Sequence, residues 1–287
     1  MDKNLKIPSP WSQLALFLIL IGGALVVAAG VIVLIPGVHQ GQLPTGGPLK
    51  LAQAVTSTVL FGLPSICFAI LVFRQHPFGQ LGFRPAVKNS FYLVAVLLLF
   101  FSFPMEGWLG MLNKQIPLPH WMVSMEDENE KQMMAILAVK GPLDIIINLL
   151  VVAVIPGIFE EMCFRGVLQR IMIHIFKNPW AGIVATGLLF SAFHMEFEGF
   201  LPRTFLGILL GAAYWYSGSL WTPIIAHTFF NGIQVLAAGW YPKVVTENPS
   251  VPVYSALISL VIVVGLLAYM RRQSTVTYAQ IYQPISE

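Results

Sequence analysis

Long apolar runs separated by short polar breaks dominate the chain. Eight of them are candidate helices: Trp11–Ile35, Leu51–Phe73, Phe91–Leu112, Leu143–Phe176, Trp180–His194, Thr204–Tyr216, Thr222–Trp240 and Val253–Met270. The hydrocarbon core of a bilayer is about 30 Å thick and takes roughly 20 apolar residues in a helix. Open strands there would leave backbone groups without partners, so these runs are read as helices. The fifth and sixth are short. The fourth is too long, and part of it should project beyond the membrane. The pattern predicts an all-α, polytopic membrane bundle of about eight transmembrane helices, with no internal repeat.

Composition agrees. Hydrophobic residues make up 56% of the chain and charged ones 10%, with mean hydropathy +0.75. A soluble domain carries about 25% charged residues. The net charge of +3 is spread along the chain and indicates no nucleic-acid partner. Cys67 and Cys163 sit in apolar runs and form neither a disulfide framework nor a zinc-type pair. The stretch Met1–Pro10 is short and polar, and no small-residue cleavage site follows the first run. That run is therefore read as a retained span.

Positive residues in the loops suggest an orientation. With the amino terminus inside, the inner segments hold Lys3, Lys6, Arg74, Arg84, Lys88, Arg165, Arg170, Lys177, Arg271 and Arg272. The outer ones hold Lys50, Lys114, Lys131, Lys140, Arg203 and Lys243, and the acidic run Glu126, Asp127, Glu128, Glu130 also falls outside. An even number of helices places both termini in the cytosol, and the inner membrane of a cell is the expected location. The longest connection, Asn113–Gly141, mixes apolar and charged residues. It suits an amphipathic segment on the membrane surface or an ordinary structured loop.

The polar residues inside the runs carry the chemistry. A charge at mid-membrane costs about 2.5–3.5 kcal/mol on insertion scales. Glu160, Glu161 and Arg165 lie within two turns of the fourth helix, so uncompensated they would cost roughly 8–10 kcal/mol. Glu161 and Arg165 are four apart with the acid first, the favourable order for an ion pair. Glu160 points about 100° away. Pro156 and Gly157 lie just upstream; proline lacks an N–H, so a kink and a freed carbonyl are expected there. Glu160 and His194 stand at nearly equal distances from the turn near Lys177–Pro179, so an antiparallel hairpin brings them to one depth. His227 and Asn231 are four apart on the seventh helix and share a face. Three helices thus bring an acid, two imidazoles and an amide to one level near the cytosolic side. Such a set suits hydrolysis: a buried glutamate as general base, a histidine sharing the water, and donors for an oxyanion.

Glu160-Glu161-x-x-x-Arg165, Phe190-x-x-x-His194 and His227-x-x-x-Asn231 resemble the three motifs of the CPBP family. That family joins the type II CAAX prenyl endopeptidases with bacteriocin-processing and immunity (Abi) proteins. The resemblance covers roughly Leu143 to Trp240, and no motif residue departs from it. It implies cleavage of a peptide bond in a membrane-associated peptide or protein within or beside the bilayer. By motif position Glu160 activates water, His194, His227 and Asn231 complete the site, and Glu161 and Arg165 support it. The expected division is residues 1–142 for the first three helices and the outer loop, 143–240 for the catalytic core, and 241–287 for the last helix and a cytosolic tail, all one membrane unit.

No cofactor is favoured. A His-Glu-x-x-His zinc motif is missing. Glu160, His194 and His227 can still form a three-ligand zinc site with an open position. The base role would then pass to Glu161, which its pairing with Arg165 makes awkward. Cys163 is read as a packing residue rather than a nucleophile. Glu106 is a second intramembrane acid, either capping a neighbouring helix or lining a substrate path. Glu196 and Glu198 imply that the fifth helix ends in a wet environment. His76, His120 and His174 lie near interfaces or in loops. Two other functions compete with proteolysis: a non-catalytic scaffold or bacteriocin-immunity protein, and a solute transporter using the polar cluster as a proton relay. No inverted repeat supports the last.

Overall fold

The computed structural model describes residues 5–35, 46–139, 141–240 and 250–278. Among them no strand forms, and an isolated antiparallel bridge joins Leu5 to Phe73. We number the helices α1 (Pro10–Val33), α2 (Gly47–Val72), α3 (Pro77–Leu81), α4 (Ser90–Asn113), α5 (His120–Leu137), α6 (Pro142–Phe176), α7 (Pro179–Phe193), α8 (Phe200–Ser217), α9 (Trp221–Trp240) and α10 (Val253–Gln273). Helices α1, α2, α4, α6 and α10 are long and apolar enough to cross a membrane, and α7 is a shorter apolar helix. Each of the eight predicted runs lies on a helix, and length and composition alone mark five of these helices as candidate membrane spans.

The protein is an all-α integral membrane protein, and its polarity is arranged accordingly. Leu18, Ile19 and Val26 on α1 and Leu257, Ile258 and Val261 on α10 are exposed, whereas Glu160, Glu161, Arg165, Gln169 and His227 are buried. Exposed aliphatic stripes of this kind are stable against lipid tails. Charges inside need partners.

Several boundaries differ from the apolar runs, because charged residues were neutralised by distant partners. Helix α2 starts at Gly47, before Lys50, whose Nζ lies 3.0 Å from Asp144 Oδ1 on α6. Lys50 is buried rather than a free outer-loop charge. Helix α8 starts at Phe200 because Arg203, in its first turn, pairs with Glu196. The connection Asn113–Gly141 contains the helix α5. Lys3, Lys140, Lys243 and the tail beyond residue 278, all used in the orientation argument, lie outside the described residues.

Helix α6 holds the site. It runs for 35 residues, about 50 Å at 1.5 Å per residue, well over the hydrocarbon thickness. Its backbone widens into π-helical turns at Leu149–Val154 and Met162–Gln169, on either side of the α-helical segment Ile155–Glu161. The upstream wide turn lets Pro156 enter without clashing with the preceding turn. Such widened turns recur at functional sites because they re-aim side chains. Lys177 takes a left-handed conformation at φ 52 and ends α6. The Asn178 side chain then caps α7 by accepting from the N–H groups of Trp180 and Ala181, at 2.9 and 3.2 Å. Helix α7 packs along α8, and α9 packs on α4 and on the Pro156 region of α6.

Candidate active site

The hairpin of α6 and α7 brings Glu160 Oε2 to 3.7 Å from His194 Nε2. The equal spacing of the two residues from the Lys177–Pro179 turn is the cause. His194 Nδ1 lies 2.7 Å from the Phe190 carbonyl. A carbonyl only accepts, so Nδ1 carries a proton and donates it. In the neutral ring Nε2 is then an acceptor, aimed at another acceptor, the Glu160 carboxylate. Two acceptors facing each other need a shared donor between them.

The second pair is formed by Glu161 and His227. Glu161 Oε1 accepts from His227 Nδ1 at 2.8 Å and from Arg165 Nη1, also at 2.8 Å. The predicted Glu161–Arg165 pair is present, and the histidine is added to it. Arg165 is fully buried; its charge is held by Glu161, by the Gly207 carbonyl at 3.1 Å and by the Phe190 ring at 4.5 Å. Glu161 Oε2 and Arg165 Nε are buried without a hydrogen-bond partner, so the ion pair is not a two-pronged one. The Phe190 ring also touches both imidazoles, at 4.8 Å from His194 and 6.0 Å from His227. It ties the two pairs into one cluster.

Asn231 has a partner that spacing did not reveal. Its Nδ2 donates to the Val152 carbonyl at 3.2 Å. Val152 stands four residues before Pro156, where the absent proline N–H leaves that carbonyl short of its helical donor. Asn231 supplies a donor to that carbonyl. One amide N–H and the oxygen of Asn231 remain for other work.

Two close helix contacts set the depth of the cluster. A Cβ on Gly157 would lie 3.2 Å from Thr228 N and 3.3 Å from Thr228 Cα, and nearer still to the Thr228 hydroxyl. This approach joins α6 to α9 one residue beyond His227. Gly157→Ala is expected to push the helices apart, at about 1–3 kcal/mol for an overpacked contact. Its melting temperature in detergent should fall clearly; a wild-type melt would contradict the tight contact. The other approach joins Gly187 on α7 to Gly207 on α8, where a Cβ on Gly207 would lie 2.9 Å from Gly187 Cα. Glycine there bares the Gly207 carbonyl to Arg165. One turn on, Gln169 Nε2 donates to the Gly211 carbonyl at 3.0 Å. The matching four-residue spacings, Arg165 to Gln169 and Gly207 to Gly211, were a readable signal that motif spacing alone passed over.

The zinc reading can be tested on the donor set. Glu160 and His194 face each other, but His227 Nδ1 is engaged by Glu161. Among the described residues no three His, Cys, Asp or Glu side chains are grouped to hold a metal ion. His227 Nδ1–H is held by the Glu161 carboxylate, which leaves Nε2 as the nitrogen that a metal would take. Cys163 is buried in the apolar core, in keeping with a packing role. Glu106 accepts from the Ser102 hydroxyl one turn away and makes no described contact with the cluster.

Residues 142–233 match the family model described as type II CAAX prenyl endopeptidase Rce1-like. All seven motif residues lie within that stretch. The chain is similar to an uncharacterized 24.3 kDa protein of Escherichia coli, 31% identical over 106 residues that make up 34% of this chain and 47% of that one. It is also similar to the uncharacterized protein YpbD of Bacillus subtilis (strain 168), 35% identical over 78 residues, 26% of this chain and 36% of that one. The chain thus spans less than half the length of these relatives. No solved structure matches it.

Proposed function

We propose that this protein is an intramembrane endopeptidase that hydrolyses a peptide bond in a membrane-associated peptide or protein, with Glu160 activating water. The observation that carries the reading is the opposition of Glu160 Oε2 and His194 Nε2 at 3.7 Å. A water between two acceptors donates one hydrogen to each, which leaves a lone pair on its oxygen for attack. Glu160 takes the proton as the carbon–oxygen bond forms and returns it to the leaving amine. The free N–H of Asn231 offers a donor to the oxyanion, and His227, held at Nδ1 by Glu161, completes the site. Preorganised donors of this kind are worth a few kcal/mol in the transition state. The Rce1-like match over residues 142–233 supports the same reaction class.

In this reading residues 143–240 are the catalytic core and the flanking helices complete one membrane unit. Catalysis needs no metal. Purified protein incubated with a peptide library, and cleavage read by mass spectrometry, tests the function. Defined cuts that disappear in a Glu160 variant are expected. Equal products from both proteins would assign the cutting to a contaminant, and no cutting at all would favour a scaffold.

Both termini are proposed to face the cytosol, with α5 on the opposite side. Single cysteines placed at either end should label with an impermeant reagent only from the cytosolic side, and a cysteine at Lys131 only from the other. Labelling of Lys131→Cys from the cytosol alone would reverse the orientation.

A further inference from the structure

Immediately after His194 the chain enters a short loop before α8. His194 itself caps the end of α7, its N–H donating to the Ser191 carbonyl three residues back at 3.2 Å. Helix ends of this kind fray unless neighbours hold them. Met195 follows at φ 53, a left-handed conformation that long side chains rarely adopt. Such a residue persists only where its surroundings over-determine it.

Much of that restraint comes from residues outside the Rce1-like segment. Glu126 on α5 accepts from two successive backbone N–H groups with one oxygen, those of Phe197 and Glu198, the latter at 3.1 Å. Asn113, at the end of α4, brackets the next turn. Its Nδ2 donates to the Phe197 carbonyl at 2.7 Å, and its Oδ1 accepts from the Leu201 N–H at 2.7 Å. Lys114 pairs with Glu198 at 3.5 Å, and the Trp121 ring meets Phe197 edge-on at 5.6 Å. Asn113 is buried, so its amide is a committed internal clamp.

We infer that Glu126 and Asn113 are positioning residues for His194. By fixing residues 197–201 they hold the strained Met195 and the end of α7, and so keep His194 Nε2 aimed at Glu160. The inference rests on the endopeptidase reading for its kinetic consequence, though not for its geometric one. A displacement of about 1 Å at a reacting group can cost about 10²-fold in rate, so an anchor of this kind controls turnover without touching substrate.

The test uses the full-length protein in detergent and three readouts: amide hydrogen exchange across residues 190–203, the rate at which diethyl pyrocarbonate modifies His194, and peptide cleavage. In E126A, exchange at residues 197 and 198 should quicken about tenfold, as expected for loss of a charge-assisted hydrogen bond. Modification of His194 should change several-fold. The kcat should fall by about 10- to 10²-fold with KM unchanged. E126Q should recover most of the loss, because an amide oxygen still accepts from both N–H groups. In a background of H194A the E126A change should cost nothing further. N113A should move the same readouts and serves where E126A folds poorly. Unchanged modification of His194 in both variants overturns the inference, as does a kcat loss that adds in full to that of H194A. If the wild-type protein cleaves no peptide, the endopeptidase reading fails by itself, and exchange and modification still decide the clamp.

Discussion

Glu160→Gln should lower peptide cleavage by about 10²–10⁴-fold, the usual size of a lost general base. The amide keeps the shape of the side chain but accepts no proton, so folding and substrate binding should be preserved. In the wild type the rate should rise with pH through one ionisation, because only the carboxylate form can take a proton from water. Exhaustive chelation should leave activity intact, since Glu160 and His194 alone hold the proposed water. A zinc enzyme forecasts the reverse, with activity lost to chelators and restored by zinc. One zinc per chain in active protein, lost and regained together with activity, would refute the metal-free proposal and leave the endopeptidase reading standing.

Glu161→Ala should destabilise the folded protein by about 3–5 kcal/mol, the cost of removing one partner from a buried ion pair. Arg165 is fully buried, and its Nε already lacks a partner. Without Glu161 its charge would keep the Gly207 carbonyl and the rings of Phe190 and Phe164. His227 would lose the acceptor of its Nδ1–H at the same time. Glu160→Ala should cost far less, because its contact to His194 at 3.7 Å is longer than a direct hydrogen bond. Thermal melts of the two purified variants should therefore separate widely, with Glu161→Ala the weaker protein and Glu160→Ala the inactive but well-folded one. Similar melting temperatures would mean that the adjacent acids share one role.

The adjacent glutamates show how far spacing can be read. About 100° of helical rotation separates neighbouring positions, so Glu160 and Glu161 had to face different partners. The four-residue spacing of Glu161 and Arg165 named one of those partners. The hairpin arithmetic named the other, because α6 and α7 are consecutive and antiparallel, and chain distance from a tight turn measures depth. For the same reason the long apolar runs could be placed on helices: in lipid the backbone has to satisfy itself within each segment.

Contacts between helices distant in sequence followed a different logic. His227 was expected at the level of Glu160, yet its Nδ1 sits on Glu161. That choice depends on how α9 is rotated about its own axis, which Gly157 and Thr228 settle by letting two backbones touch. Asn231 was expected to face the reaction, and it also gives one N–H to Val152, a carbonyl left short of its helical donor by Pro156. Glu126 read as one of a solvated acidic run, and Asn113 as the edge of a loop, but together they grip the backbone after His194. By itself, then, the sequence determined the membrane setting, the helices, the motif residues and the register of the α6–α7 hairpin, because each follows from local periodicity or from counting along one turn. Only the tertiary structure decided which partner each buried polar group took, because that choice lies in the rotation and separation of helices far apart in the chain, which no local spacing encodes.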